Sequence, residues 1–286
     1  TYETGQSSAS VSCSESFGGA MYNETFNDTV LRLLPFIVLL LTLAGLEHLR
    51  PWRQSAQSLL PRWRNHFTLQ LIAIGVVRGI LPFSLIAVAI WSQQESWGLW
   101  SWLHLPLPVT ILVSLLILDL AIYFQHRLMH RLPMLWRLHR LHHSDRVLDV
   151  TTALRFHPVE MLLSLLWKML LVILLAAPVE AILLFEVLLS SSALFNHANI
   201  RLKPKLDRWL RYVLVTPDMH RVHHSRKVTE TNTNFGFLLP WWDKFFASYR
   251  PFSAQGDAVE IGLNEFYETR ENQVINMLTQ PWRDPR

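Results

Sequence analysis

This sequence of 286 residues is short of cysteine and of charged residues. The single cysteine, Cys13, has no partner within the chain, which excludes a disulfide scaffold and leaves the redox compartment unreadable. Charged residues make up 17%, where an ordinary soluble domain carries about a quarter, and hydrophobic residues make up 50%. A mean hydropathy of +0.20 points the same way. The chain is too apolar to be mostly water-facing, so a membrane is the expected environment. Lys and Arg are missing altogether from residues 1–29 and 92–106. Intrinsic disorder is excluded from the other direction, by an aromatic content of 12%.

Long apolar runs are present instead. Val30 to Leu46, Phe67 to Trp91 and Pro106 to Phe124 each match the roughly 17 to 25 residues that cross a hydrocarbon core as a helix. Val159 to Phe195 is too long for one crossing, and Pro178 near its centre predicts a helical hairpin. Basic residues gather elsewhere: Arg50, Arg53, Arg62 and Arg64, then Arg127, Arg131, Arg137, Arg140, Arg146 and Arg155, then the region from Arg201 onward. By the positive-inside bias the N-terminus lies outside, and the 47–66 loop, residues 125–158 and the C-terminal third lie in the cytoplasm of a bacterial inner membrane or endoplasmic reticulum protein. Trp91, Trp97, Trp100 and Trp102 then fit an outer aromatic belt, and Trp52 and Trp63 an inner one. The excess of Lys and Arg over Asp and Glu, 26 to 22, serves orientation rather than nucleic-acid binding.

The expected fold is all-α: a multi-pass transmembrane helical bundle of four to five membrane helices, including the hairpin, with a cytoplasmic histidine-rich helical cap. Residues 1–29 form an extramembrane segment, of which 1–20 read as an upstream extension; the sequons Asn23-Glu24-Thr25 and Asn27-Asp28-Thr29 fall on the outer side. Residues 30–105 carry the N-terminal transmembrane helices, 106–250 the histidines, and 251–286 a polar C-terminal tail.

Ten of the 13 histidines fall between His126 and His224. They read His126-Arg-Leu-Met-His130, then His139-Arg-Leu-His142-His143, single His157 and His197, and His220-Arg-Val-His223-His224. Residues at i, i+3 and i+4 share a helix face, so each box can aim two imidazoles at one metal. Adjacent histidines diverge by about 100°, which lets one triplet serve two metals. Eight imidazoles exceed what one ion uses, and the count favours a dinuclear centre. Imidazole-only ligation suits zinc, iron or copper. Zinc would imply hydrolysis through a bound hydroxide, iron would imply oxygen activation, and the apolar surroundings point to a lipid substrate. A metal transporter would instead set ionisable residues along several spans at the midplane. His48, His66 and His104 have no partners in the pattern and are read as bystanders.

Asp119 is an acid inside the third span, and Asp119, Tyr123, His126 and His130 fall within about 60° on a helical wheel. This polar stripe predicts that Asp119 or Tyr123 hydrogen-bonds a ligand imidazole and fixes its tautomer. Lys168 and Glu186 lie almost equally far from Pro178 on the two arms of the hairpin, which predicts an intramembrane ion pair. Trp136, Trp209, Trp241 and Phe245 are candidates for seating the cap at the interface.

The boxes, with Trp136-Arg-Leu before the second and Ser144-Asp145 after it, resemble those of the fatty acid hydroxylase and sterol desaturase superfamily. So do Arg155-Phe-His157-Pro-Val-Glu160, Asn196-His197-Ala-Asn199, Thr216-Pro-Asp-Met-His220 and the closing Trp242-Asp243-Lys-Phe-Phe246. The resemblance covers residues 106 to 250. It implies an integral-membrane non-haem diiron oxygenase that hydroxylates or desaturates a lipid with O2 as co-substrate. The two irons would be held by His126, His130, His139, His142, His143, His220, His223 and His224, with His197 as a ninth ligand; His157 is a candidate for an additional one, its role left open because only some branches share its motif. Asn196 joins Asp119 and Tyr123 among residues expected to orient ligands. Some members carry a fused cytochrome b5 domain; with no such segment here, electrons are expected from a separate cytochrome b5-like protein or ferredoxin docking on the basic cap. A zinc-dependent hydrolase and a metal-binding or transport protein are the alternatives.

Overall fold

The computed structural model describes residues 26–55, 57–96 and 98–284. The upstream extension, the sequon residues Asn23 to Thr25, and Cys13 and Trp97 lie outside the described residues, and nothing in the structure bears on the side chains of Asn27 to Thr29. Among the described residues there is no β-strand, only two isolated bridges, Pro51 with Ile200 and Ser225 with Ile261. The helices up to the end of the hairpin are α1 (Phe26–Leu49), α2 (Leu59–Ile80), α3 (Leu85–Gln94), the short α4 (Leu99–Leu103), α5 (Leu107–Arg131), α6 (Pro133–His143), α7 (Pro158–Leu175) and α8 (Val179–His197). Shorter helices follow: α9 (Pro204–Leu210), α10 (Pro217–His223), α11 (Val228–Thr231), α12 (Trp241–Phe245) and α13 (Val274–Thr279).

Five stretches are long and apolar enough to cross a membrane: Val30–Leu49, Leu59–Leu103, Leu107–Arg131, Pro158–Leu175 and Val179–His197. The chain is an integral membrane protein. On α1, Leu31, Leu34, Val38 and Leu41 stand exposed, a face that lipid covers and water would penalise.

The second stretch departs from the single span expected over 67–91. Its helix stops at Ile80 and restarts at Leu85, because Pro82 has no N–H to donate and forces Leu81 out of the helical region, to φ −124° and ψ 90°. Ser84 then caps the restart, its hydroxyl accepting from the Ala87 N–H at 3.0 Å. The reinserted α3 is the centre of the membrane core: Leu85, Ile86, Val88 and Ala89 pack on Leu118 and Ile122 of α5, Met169 and Val172 of α7, and Ile182 and Phe185 of α8.

The α7–α8 hairpin forms as the sequence predicts. Ala176 takes the left-handed conformation that ends α7, and Pro178 opens α8. Gly98 sits against that turn, where a Cβ would come within 2.5 Å of the Ala176 nitrogen. The expected pairing inside the hairpin is not what the structure shows. Glu186 pairs with Arg32 of α1 at 3.0 Å, and among the described residues no ion pair includes Lys168. The reason is packing order: α1 lies along α8 and brings its arginine to the depth of Glu186.

The C-terminal ends of α1, α5 and α8 and the N-terminal ends of α2 and α7 meet the cap on one side. Glu47, near the end of α1, accepts the Val150 and Asn199 N–H groups, each at 2.7 Å. Arg62 of α2 is buried and grips Asp145 through Nε and Nη2 at 3.1 and 3.0 Å, with Asp149 on its remaining nitrogen. Burial alone would raise the Asp145 carboxyl, but Arg62, His66 and Arg155 beside it hold it well below the usual carboxylate range. His66, read as a bystander, belongs to this frame: its ring meets Thr151 at 3.0 Å and Arg155 at 3.1 Å. Residues 251–284 are no free tail, since Met277 packs between Leu69 and Leu141 and Arg140 donates to the Gln280 and Arg283 carbonyls.

Removing one partner from a buried pair strands the other. Arg62→Ala is expected to cost about 3–5 kcal/mol and to lower the melting temperature in detergent by several degrees. The exposed Arg64→Ala should leave it within about a degree.

Candidate metal centre

The three boxes fold into two sets of imidazoles. His126 and His130, one turn apart at the end of α5, face His139 and His143 of α6 and His223 of α10. His142 of α6 faces His197 at the end of α8, His220 of α10 and His224 just beyond it. Within each set one ring nitrogen of every residue lies within 4.8 Å of all the others. The splitting follows from helix geometry: the rings of His142 and His143 stand 5.5 Å apart at 86°, and those of His223 and His224 5.5 Å apart at 84°. Each HxxHH triplet therefore contributes to both sets.

Hydrogen bonds on the far side of the rings select the tautomers. In the first set, Nδ1 of His126 donates to the Phe235 carbonyl at 2.9 Å, that of His139 to Glu160 at 2.6 Å, and that of His223 to the Thr233 carbonyl at 2.7 Å. His130 Nδ1 meets Asn232 Oδ1 at 3.3 Å. A neutral ring that donates from Nδ1 has a bare Nε2. The Nε2 atoms of His126 and His139 lie 3.1 Å apart, and those of His130, His143 and His223 are buried with no hydrogen-bond partner. In the second set, His197 donates from Nδ1 to Ala193, and the Nε2 atoms of His142, His197, His220 and His224 follow one another at 3.0, 3.1 and 3.2 Å. Two nitrogens bound at right angles about 2.1 Å from one ion stand about 3.0 Å apart, so the donor sets fit a metal each.

Burial and the neighbouring imidazoles push the rings of His142, His143, His220 and His224 well below the ordinary histidine range, and burial takes His223 down to about 3. The rings are neutral, which is the form a metal requires.

The three residues expected beside the ligands do something else. Asp119 accepts the N–H groups of Leu238 and Leu239, each at 3.2 Å, and the Trp242 indole at 2.7 Å. Tyr123 bonds Ser248 at 2.8 Å and receives Arg127, while Asn196 donates to the Phe237 carbonyl at 2.7 Å. None of the three hydrogen-bonds an imidazole. All three fasten the 235–248 segment, whose first carbonyl holds His126. Asp243 completes the fastening, accepting the Phe235 and Gly236 N–H groups at 2.8 and 2.7 Å; a Cβ on Gly236 would stand 2.7 Å from that carboxylate. The carboxylate that orients an imidazole is Glu160, in the first turn of α7. It stood in a motif of the sequence with no role assigned, and only the crossing of α6 over α7 reveals its partner.

His157 lies outside both sets. Its Nδ1 accepts the Val159 N–H at the start of α7 and its Nε2 donates to the Leu278 carbonyl, so neither ring nitrogen is left for a metal. Trp136 packs on the rings of His130 and His143, centroids 4.9 and 5.4 Å apart, rather than seating the cap. Trp209, Trp241 and Phe245 are exposed.

Residues 111–248, a stretch that holds all nine imidazoles of the two sets, match the fatty acid hydroxylase family model. Residues 111–248 form a fatty acid hydroxylase domain. The chain is similar to the ornithine lipid hydroxylase of Rhizobium tropici, 32% identical over 145 residues, 50% of this chain and 43% of that protein. It is also similar to human (Homo sapiens) alkylglycerol monooxygenase, 26% identical over 270 residues, 92% of this chain and 58% of that one. A third relative is a very-long-chain aldehyde decarbonylase of Oryza sativa subsp. indica, 30% identical over 158 residues, 50% of this chain and 25% of that protein. The chain spans about half the length of the first two. No solved structure matches it.

Glu160→Ala removes the acceptor that orients His139, and metal affinity should fall by about ten- to a hundredfold in a chelator titration. His157→Ala should leave the metal content of the purified protein unchanged.

Proposed function

We propose that this protein is a dinuclear iron oxygenase that uses O2 to hydroxylate or desaturate a membrane lipid. The observation that carries the reading is the pair of buried imidazole sets, one of five rings and one of four, built on shared helices, with Nδ1 of His126, His130, His139, His223 and His197 held from behind. Two iron ions held there, the first by His126, His130, His139, His143 and His223 and the second by His142, His197, His220 and His224, would supply O2 activation and C–H oxidation. Zinc does not provide that chemistry, and the named activities of the relatives, hydroxylase and monooxygenase, favour iron.

The chain's own contribution is positional. Glu160 and the carbonyls of Phe235 and Thr233 keep the Nδ1 protons in place, leaving Nε2 free. Phe156 stacks on His142 at 4.5 Å and Trp136 covers His130 and His143, so water is excluded where a reactive oxidant would otherwise be wasted. An ornithine lipid and an alkylglycerol both join an alkyl chain to a polar head, and the apolar helices beneath the cap suit a chain entering sideways from the bilayer. The cap lies on the cytoplasmic side by the distribution of arginines, and a separate cytochrome b5-like protein or ferredoxin delivers electrons to its basic face.

The test is metal stoichiometry of anaerobically purified protein by plasma mass spectrometry, followed by O2 uptake with a reductant and a membrane lipid extract. Two irons per chain and lipid-dependent uptake are expected, with both lost in His142→Ala and in His223→Ala while membrane insertion persists. Zinc alone after iron-replete expression, with no O2 consumed, would sink the proposal in favour of a hydrolase.

A further inference from the structure

Beside the histidines, on the other face of α10, lies a half-open cleft of about 550 Å³. Arg221 and Val222, which lie in sequence between the α10 imidazoles His220 and His223, form part of its wall. Its charge does not balance. Five cations line it, Arg201, Arg208, Arg211, Arg221 and Lys244, against three carboxylates. Each carboxylate is already engaged: Asp207 by Arg211 at 2.7 Å, Asp257 by Arg201 at 2.8 Å, and Asp218 by Arg221. Arg208 and Lys244 are left over, and no ion pair among the described residues includes either.

Lys244 is held in place. Its Nζ donates to the Arg211 carbonyl at 2.9 Å and sits 5.4 and 5.5 Å from the rings of Tyr212 and Tyr249. Arg211 in turn donates to the Pro251 carbonyl and lies over Phe252 at 5.2 Å. The cleft is thus a cationic floor walled by aromatic rings. A second hollow of about 560 Å³, formed with Trp209, shares Arg208 and Tyr212 with it.

Its depth in the membrane identifies the ligand. The α9 helix starts at Pro204, soon after α8 ends at His197, so it runs where the chain leaves the hydrocarbon. Around it Trp209 is 64% exposed and Phe245 78%, with Leu206, Tyr212 and Trp241 also exposed. Trp241 is tied to this surface through its indole, which donates to the Tyr212 carbonyl at 2.6 Å. Exposed aromatics beside Lys and Arg at that level mark the headgroup layer, where the abundant anion is lipid phosphate.

We propose that this cleft binds the phosphate-diester headgroup of an anionic membrane lipid, with Arg208 and Lys244 taking the charge and Trp209 and Tyr212 contacting the lipid's glycerol and upper acyl region. The bound lipid seats the cap on the bilayer through the helix that carries His220 and His223. Binding here does not depend on which metal or reaction the histidines support, so the cleft can fail while the oxygenase stands, and the reverse.

Native mass spectrometry of the full chain in detergent, offered phosphatidylglycerol, phosphatidylcholine or inorganic phosphate, decides the matter. The chain should retain one phosphatidylglycerol in preference to phosphatidylcholine. The Arg208→Ala/Lys244→Ala variant should lower that retention by about tenfold or more, while Arg64→Ala/Lys227→Ala, which removes the same charge from exposed positions outside the cleft, leaves it unchanged. All four side chains are exposed, so both variants should fold. Equal loss in the two variants, or none in either, would overturn the proposal. Uptake of inorganic phosphate without retention of phosphatidylglycerol would also overturn it, leaving a soluble phosphate ester as the ligand.

Discussion

Buried nitrogen lone pairs that face one another are the constraint around which this molecule is organised. Two bare Nε2 atoms at 3.1 Å repel, and the first set alone gathers five rings in one pocket. An unpaired buried polar atom costs about 1–3 kcal/mol, so several of them together rival the entire stability of a domain, about 5–15 kcal/mol. A cation at each set would turn that repulsion into ligation. The rings must still be neutral and correctly turned before any ion arrives, and this is why so much of the chain is given over to acceptors placed behind the imidazoles.

Those acceptors need their own support, and it comes from two directions. From the membrane side, Asp119 and Tyr123 of α5 and Asn196 of α8 hold the 235–248 segment, with Asp243 tying its ends together. From the other side, Arg62 binds Asp145 and Asp149, immediately after the second histidine box, to the helix α2. The N-terminal helices, which lie outside residues 111–248, are therefore structural partners of the histidine site and not simply an anchor. A buried arginine between two carboxylates is stable only as a complete network, and this couples the order of the cap to the packing of α2.

The sequence discloses these features unequally. Box spacing is a local property of one helix, so the division of His142 from His143 could be read without knowing what either faces. Span lengths are local in the same way. Pairings across helices are not: Glu186 has two cations within reach of its depth, and only the position of α1 against α8 gives it to Arg32. Asp119 shares a stripe with His126 and His130, yet lies two turns below the first and three below the second, beyond hydrogen-bond reach of either, while Glu160 on another helix arrives at His139. The break at Pro82 was legible in principle, since proline carries its own mechanism, but the apolar run on both sides masked it.

Where the site sits follows from the same hydrogen-bond requirement. Fixing an imidazole takes a carbonyl that is not already consumed by a helix, and hydrocarbon tolerates such free carbonyls only where protein covers them. The Phe235 and Thr233 carbonyls meet this condition because their segment lies at the ends of α5 and α8, drawn down onto them by a carboxylate one helical stretch deeper. Asp119 is thus ionisable, buried and inside a span for a reason that does not involve the imidazoles: it satisfies two backbone N–H groups and an indole that would otherwise be unpaired at that depth. The loop it holds supplies the carbonyl that fixes His126.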